Sequence, residues 1–356
     1  VPLYALTLLT SLLPFVGVAL GGLLGVLARG GSQLMLSLVG LSAYLPLAQV
    51  RVPAPSLWVY LTVALGVVLA SRHIHAKPSR RALAFALIVL VAAGGAYGTR
   101  PAALRYHQMA VGQGDAALIF DGDRTVAIDV GPEGSEAAQR LLAEGRDVDA
   151  LILTHLHSDH AQGVFTLISE GVLIRRAYLP AGALRTRPGE EGYDTLALLQ
   201  ANNVPLEELS AGDTLTFHDA TLEVLWPQQG GLRERENVND GSMATLIRLG
   251  TLRILSMGDV SGLYEPYIAT DCDVLKVGHH GSASGTTAAF LAQTSPDFAL
   301  LTCRANAPLP SNETLQRLAD AGAKVFRTDE TGEIILEKRA EGYRILTYKA
   351  GVMDGS

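Results

Sequence analysis

The chain has 356 residues, room for two domains, and a formal net charge of −7. That charge is unevenly held. Residues 1–99 contain six basic residues and no acid, so 100–356 sets the 22 remaining basic residues against all 35 acids, a net −13. The split excludes one uniformly water-soluble globule, and two cysteines exclude a disulfide framework. Cys272 and Cys303, each in an apolar run, read as buried free thiols.

Leu3 to Ala28 is an uncharged apolar run of 26 residues, long enough to cross a bilayer even when tilted. Leu34 to Ala48 is shorter and reads as a buried or interfacial helix. Leu57 to Ala70 follows Pro53 and Pro55 and starts with Trp58 and Tyr60, which suit a membrane interface. Ala82 to Gly98 is the last run. None shows the polar face of a soluble helix, and their number excludes a cleaved signal peptide. The loop 71–81 holds Arg72, Lys77, Arg80 and Arg81 and no acid, which places it in the cytoplasm by the positive-inside rule. The next helix then runs outward, and 100–356 is expected outside the cytoplasmic membrane of a multi-pass protein. The expected division is a transmembrane helical segment at 1–99, a hydrolase domain at 100–345 and a C-terminal tail at 346–356. The chain begins with Val rather than Met, so it reads equally as a fragment or a trimmed protein.

From Leu104 short apolar runs alternate with Gly, Asp and Pro. Strands are predicted at 116–120, 125–129, 150–154, 174–179, 214–217, 221–226, 243–249, 251–256, 273–277, 298–302 and 333–337. Helices are predicted at 136–144, with Ser135 as N-cap, and at 161–170, 192–202, 285–294 and 311–321. Hairpins in both halves with helices between them suggest two sheets packed face to face under helices, an α/β class. The polar, Gly-rich loop 227–241 is placed to border a site.

Thr154-His155-Leu156-His157-Ser158-Asp159-His160 is the most specific segment: three His and one Asp in six residues, just after an apolar strand. In a loop leaving a strand, His155 and His157 can point together while Asp159 and His160 turn to a second position. Imidazole suits zinc and related ions, and carboxylate suits harder ions such as manganese. Two later strands end in Gly258-Asp259 and in Gly278-His279-His280-Gly281-Ser282. An Asp at a strand end can bridge two cations.

His-x-His-x-Asp-His, then Gly-Asp, then His-His-Gly-Ser resembles the metallo-β-lactamase superfamily. More narrowly, the chain resembles the ComEC family of bacterial competence channels, which import transforming DNA. That resemblance is carried by Val111-Gly112-Gln113-Gly114-Asp115-Ala116, Asn239-Asp240-x-Ser242, Asp273 to Ser282 and Arg327-Thr328-Asp329-Glu330-x-Gly332, within about 105–340, and by a domain placed directly after membrane helices. It implies a metallo-β-lactamase αββα sandwich preceded by transmembrane α-helices, with two divalent metal ions (zinc or manganese). It implies His155 and His157 on one ion, Asp159 and His160 on the other, Asp259 between them, and His279 or His280 closing the second site. His279 is preferred because it comes first off the strand. Asp129 would sit beneath the metal loop and orient a ligand His, with Asp240 and Ser282 also behind the ligands. Asp159, Asp259 and Asp115 are the candidate catalytic carboxylates. The chain departs from the family at Ala110, where Asp is frequent, and at Val130-Gly131, where a glycine pair is common. A further ligand His is also missing: His218, read as mid-strand, is not taken for one, which leaves Asp240 or a water for that place. His73, His75 and His107 read as loop or domain-edge residues.

Two cations near one another activate a water and offset phosphate charge. The resemblance thus implies an extracytoplasmic nuclease that hydrolyses the non-imported DNA strand during natural transformation. Its partners would be DNA, the membrane, other competence-machinery proteins and further copies of the channel. Two alternatives stand: a membrane-anchored hydrolase of another phosphoester such as one in the cell wall, slightly favoured by the −13 charge, and a non-catalytic, DNA-guiding channel component. Arg175, Arg176, Arg185 and Arg187 along one edge of the metal pocket would favour DNA over another phosphoester.

Overall fold

The computed structural model describes residues 29–34, 37, 104–231, 237–339, 341–349 and 352–355. The chain divides into two compact units, Val1–Val52 and Pro53–Ser356. In the first, the described residues 29–34 and 37 are helical. Otherwise the four apolar runs, the loop 71–81 and the expected boundary at 99/100 lie outside the described residues. Among the described residues no helix is long and apolar enough to cross a membrane.

The described part of the second unit opens with an antiparallel run, β1 (Arg105–Gln108), β2 (Ala116–Asp121) and β3 (Arg124–Val130). The strands β4 (Ala150–Ile152), β5 (Ala177–Pro180) and β6 (Leu206–Leu209) then add in parallel. Their crossovers carry α1 (Ser135–Glu144), α2 (Ser158–Ala161), α3 (Val164–Ser169) and α4 (Tyr193–Ala201). The chain repeats this plan. β7 (Thr214–Thr216), β8 (Ala220–Trp226), β9 (Ala244–Leu249) and β10 (Leu252–Ser256) are antiparallel. β11 (Val274–Lys276), β12 (Phe298–Leu301) and β13 (Lys324–Arg327) follow in parallel, through α5 (Glu265–Ile268), α6 (Ala288–Thr294) and α7 (Asn312–Asp320). After α8 (Thr328–Thr331), β14 (Glu333–Lys338) returns to pair with β1, and β15 (Tyr343–Lys349) and β16 (Val352–Gly355) extend that edge. Among the described residues the strands form a nine-stranded sheet, β16-β15-β14-β1-β2-β3-β4-β5-β6, and a seven-stranded sheet, β13-β12-β11-β10-β9-β8-β7.

Three apolar layers show how the sheets stack. Tyr106, Ile119, Val126 and Ile152 of the larger sheet meet Leu222, Ile247, Ile254 and Val274 of the smaller one. The other face of the larger sheet, with Leu118, Ala127 and Leu151, lies under Leu141, Leu167 and Leu199 of the helices. Leu255, Leu275 and Leu301 likewise lie under Ile268, Phe290 and Leu318. This is the expected αββα sandwich. Strands covered on both faces are apolar over long runs, as in Ala116 to Phe120 of β2, whose side chains are all buried.

The structure departs from the predicted elements at several points. The helix expected at 161–170 is two short helices broken at Gln162-Gly163. The Gly163 N–H turns to the Gly131 carbonyl at 2.8 Å, and the Asp159 carbonyl it would bond in a helix accepts the Asp115 N–H instead. Gly134, not Ser135, caps α1, and the Ser135 hydroxyl turns to Glu136 instead. His218 lies in the turn between β7 and β8 and not mid-strand; it pairs with Asp123 and is no candidate ligand. His107 is not at a domain edge either. It is buried on β1, with Nδ1 2.7 Å from Glu333 Oε1. The short, mixed strands β1, β6 and β13 gave no clear period of two. The sheet also continues past residue 345, where the sequence set the domain's end, because Tyr343–Lys349 pairs with β14 along its whole length.

Candidate metal centre

β4 ends at Ile152, and the chain enters the His cluster through Leu153 and Thr154. His155 and His157 lie on the extended segment, and Asp159 and His160 project from the first turn of α2. β10 and β11 are parallel neighbours, so their carboxyl ends deliver Asp259 and the His279-His280 pair to one place. The first group comes from the larger sheet and the second from the smaller. Gly114 fixes the loop between them: a Cβ there would lie 2.4 Å from the Asp159 carbonyl oxygen, which accepts the Asp115 N–H at 3.1 Å.

The ligand atoms of Asp115, His160, Asp259 and His280 lie within 4.8 Å of one another, as do those of His155, Asp159 and His160. His160 Nε2 is 3.3 Å from Asp259 Oδ1, His155 Nε2 is 3.9 Å from Asp259 Oδ2, and His280 Nε2 is 3.2 Å from Asp159 Oδ2. His155, His160, Asp259 and His280 are all buried. Yet His155 Nε2, His160 Nε2 and Asp259 Oδ1 have no hydrogen-bond partner. Buried polar atoms seldom go unsatisfied, and three that converge fit a cation.

Asp129, at the end of β3, holds this cluster from below. It accepts the Thr154 N–H and hydroxyl, each at 2.7 Å, and lies 2.8 Å from His160 Nδ1. A carboxylate on Nδ1 leaves the Nε2 lone pair free for a metal. Burial alone would lower the His160 pKa, but the Asp259 and Asp129 carboxylates outweigh it and lift it well above the ordinary range. A pocket that stabilises positive charge there also suits a metal ion. Burial, then the adjacent His160, holds His155 well below its ordinary value, so that ring is neutral. Burial would raise Asp159, but its contact with His280 and the charge of His160 hold it at about 2.

The remaining expected residues are less uniformly placed. Both members of the His pair take left-handed backbone, with φ of 47° and 52°, a conformation uncommon outside glycine. The turn sends His280 into the cluster and leaves His279 a third exposed, its Nε2 3.8 Å from Asp259 Oδ2. The geometry therefore favours His280 over the preferred His279. His157 stands at the mouth, its ring 4.7 Å from that of His155 and its Nε2 3.9 Å from Glu191 Oε2. Asp115 stands behind the ligands, with both oxygens engaged by Lys276 and Thr302. Asp240 does not fill the place of a missing His; its carboxylate accepts the Ser261 N–H at 3.1 Å and steadies the loop after Asp259. Ser282 closes the His turn through its N–H to the His279 carbonyl, while its hydroxyl meets Ser284. Thr154 and Lys276 lie inside motifs the sequence offers but were given no role there, and Glu191 and Thr302 lie outside any motif.

The cluster opens into a cleft of about 750 Å³ whose lining includes His155, His157, Arg185, Arg187, Glu191 and Asn237. Two of the four arginines whose placement discriminates between substrates, Arg185 and Arg187, line it. Arg175 and Arg176 lie elsewhere, paired with Asp149 and Glu207.

A family model described as the metallo-beta-lactamase superfamily matches residues 109–303, more than half of the chain and all of this site. The chain belongs to the metallo-beta-lactamase superfamily. Within the superfamily, the curated relatives it matches are ComEC-family proteins, as the motifs implied. It is 30% identical over 202 residues to ComE operon protein 3 of Bacillus subtilis, an alignment covering 54% of this chain and 25% of that protein. It is 28% identical to competence protein ComA of Neisseria gonorrhoeae, over 92% of this chain and 45% of the relative. The chain thus spans less than half the length of these curated relatives. Among solved structures it is similar to the metallo-beta-lactamase fold protein YhfI of Bacillus subtilis. The identity is 15%, with 63% of this chain and 96% of that one covered and a TM-score of 0.45.

Proposed function

We propose that this chain is the metal-dependent nuclease part of a membrane DNA-uptake channel, acting outside the cytoplasm on the strand that is not imported. The observation that carries the reading is the buried convergence of His155 Nε2, His160 Nε2 and Asp259 Oδ1 without partners, behind a cleft that His155 lines together with Arg185 and Arg187. Two divalent cations, zinc or manganese, held by His155, His157, Asp159, His160, Asp259 and the His279-His280 pair would supply an activated water and offset phosphate charge. The chain's own groups do the rest. Asp129 orients His160. Asp259 stays ionised: burial would raise its pKa, but the charge of His160 holds it well below the ordinary range. The arginines present guanidinium charge where a phosphodiester backbone enters.

Supporting this setting are the ComEC-family relatives, among them a competence protein and a recombination protein. The acid-free residues 1–99 and the basic loop 71–81 support membrane insertion with the hydrolase outside. The net −13 of 100–356 favours a different phosphoester as the second reading, and the two arginines at the cleft weigh against it.

The test is metal-dependent cleavage by the full chain in detergent, stripped and reloaded with manganese or zinc, on labelled single- and double-stranded DNA beside a phosphodiester dye. Cleavage of DNA that vanishes in Asp259→Ala is expected. Dye hydrolysis without DNA cleavage would move the assignment to another phosphoester. Bound metal with neither activity would leave a DNA-guiding role.

A further inference from the structure

We propose that Lys276, Asp115 and Thr302 form a buried positioning chain that holds His280 with Nδ1 protonated and Nε2 turned into the metal centre. The proposal rests on reading the cluster as a metal centre. Its three members come from both sheets. Asp115 precedes β2, Lys276 closes β11 and Thr302 follows β12. All three and His280 are buried.

The hydrogen bonds have only one consistent direction. Lys276 Nζ donates to Asp115 Oδ2 at 2.8 Å and to the Val277 carbonyl at 3.0 Å. Against that ammonium, Asp115 is a carboxylate and can only accept. Its other oxygen takes the Thr302 hydroxyl proton. A hydroxyl has one proton, so Thr302 Oγ1 can only accept from its second neighbour, His280 Nδ1, at 3.3 Å. A proton is therefore on Nδ1, and Nε2, 3.2 Å from Asp159 Oδ2, is the ring nitrogen turned into the metal centre.

The same device recurs across the site. Thr154 Oγ1 gives its proton to Asp129 Oδ2 at 2.7 Å and lies 3.2 Å from His155 Nδ1. A carboxylate, a threonine hydroxyl and an imidazole follow in the same order. Partners of this kind orient ligand histidines, and their loss typically weakens metal binding by about 10–100-fold.

Cobalt(II) titration of the full chain tests this, with visible absorption reporting coordination and equilibrium dialysis reporting stoichiometry. Thr302→Val keeps the side-chain shape and removes the hydroxyl. One of two cobalt equivalents should bind about 10–100-fold more weakly, with altered absorption bands, while the other is unchanged. Thr302→Ser should restore both. Unchanged affinity and bands in Thr302→Val overturn the proposal. So does equal weakening of both equivalents, or a serine variant that behaves like the valine one. A wild-type chain that binds no cobalt overturns the metal-centre reading itself, a result distinct from these.

Discussion

Asp129 and Asp259 meet one imidazole, His160, from its two ring nitrogens. The first fixes the ring and the second shares its metal-facing side, so the two carboxylates are not interchangeable. Asp129→Asn keeps the shape but removes the charge behind Nδ1, and it should weaken metal affinity by about 10–100-fold; a dialysis isotherm checks this. His107 makes a different prediction. Burial lowers its pKa, although Glu333 pulls the other way, and its Nε2 is buried without a partner. The neutral ring therefore contributes stability in full above the unfolded value of about 6.5, and loses it as pH falls through the lower folded value. The urea midpoint should drop from pH 7.5 to pH 5.5, and His107→Gln should flatten that drop. An equal drop in the variant would assign the acid sensitivity to other groups. At this scale the sequence was legible where ligands are neighbours: His155, Asp159 and His160 lie within six residues. Thr302 and Lys276 were not legible, because their partner Asp115 lies more than 150 residues earlier.

At the level of elements, local packing overrode local propensity. Ser135 is a better helix cap by side chain than glycine is, since its hydroxyl can accept a first-turn N–H. Gly134 takes the place because it has φ +70° and its Cα faces Gly163, where a Cβ would lie 2.4 Å from the carbonyl oxygen. Gly134→Ala should therefore destabilise by more than the roughly 1–2 kcal/mol of a left-handed residue, read from the urea midpoint at unchanged slope. The break before α3 follows from the Gly163 N–H bonding the Gly131 carbonyl rather than one in its own helix. The predicted helices at 192–202 and 311–321 match α4 and α7 closely, and in α7 a local apolar stripe and cap account for it. Ser311 does cap α7, accepting the Thr314 N–H. Short strands such as β6 and β13 depend on pairing with neighbours far away in sequence, and so gave little local signal.

Across the whole molecule, the candidate ligands bridge two sheets, which ties metal to stability. Chelation should lower the thermal midpoint of the full chain, and Asp259→Ala should lose that response, because a ligand that binds only the folded state stabilises it. The edge of the larger sheet gives a second expectation. Ending the chain at residue 342 removes β15 with buried Ile345 and Leu346 and exposes the β14 edge. Each apolar side chain is worth about 1.5–3 kcal/mol of burial, so a lower midpoint and poorer solubility are expected. The sequence by itself determined the αββα class, the residues of the His-rich loop, the strand-end Asp259 and the acid-free first hundred residues. These follow from composition and short-range order, which the chain carries along its length. Only the tertiary structure decided that His280 rather than His279 enters the cluster, that Asp115 stands behind the ligands, and that two of four arginines reach the cleft. Those outcomes depend on which strand ends meet, and that is settled when two sheets bury their apolar faces against each other.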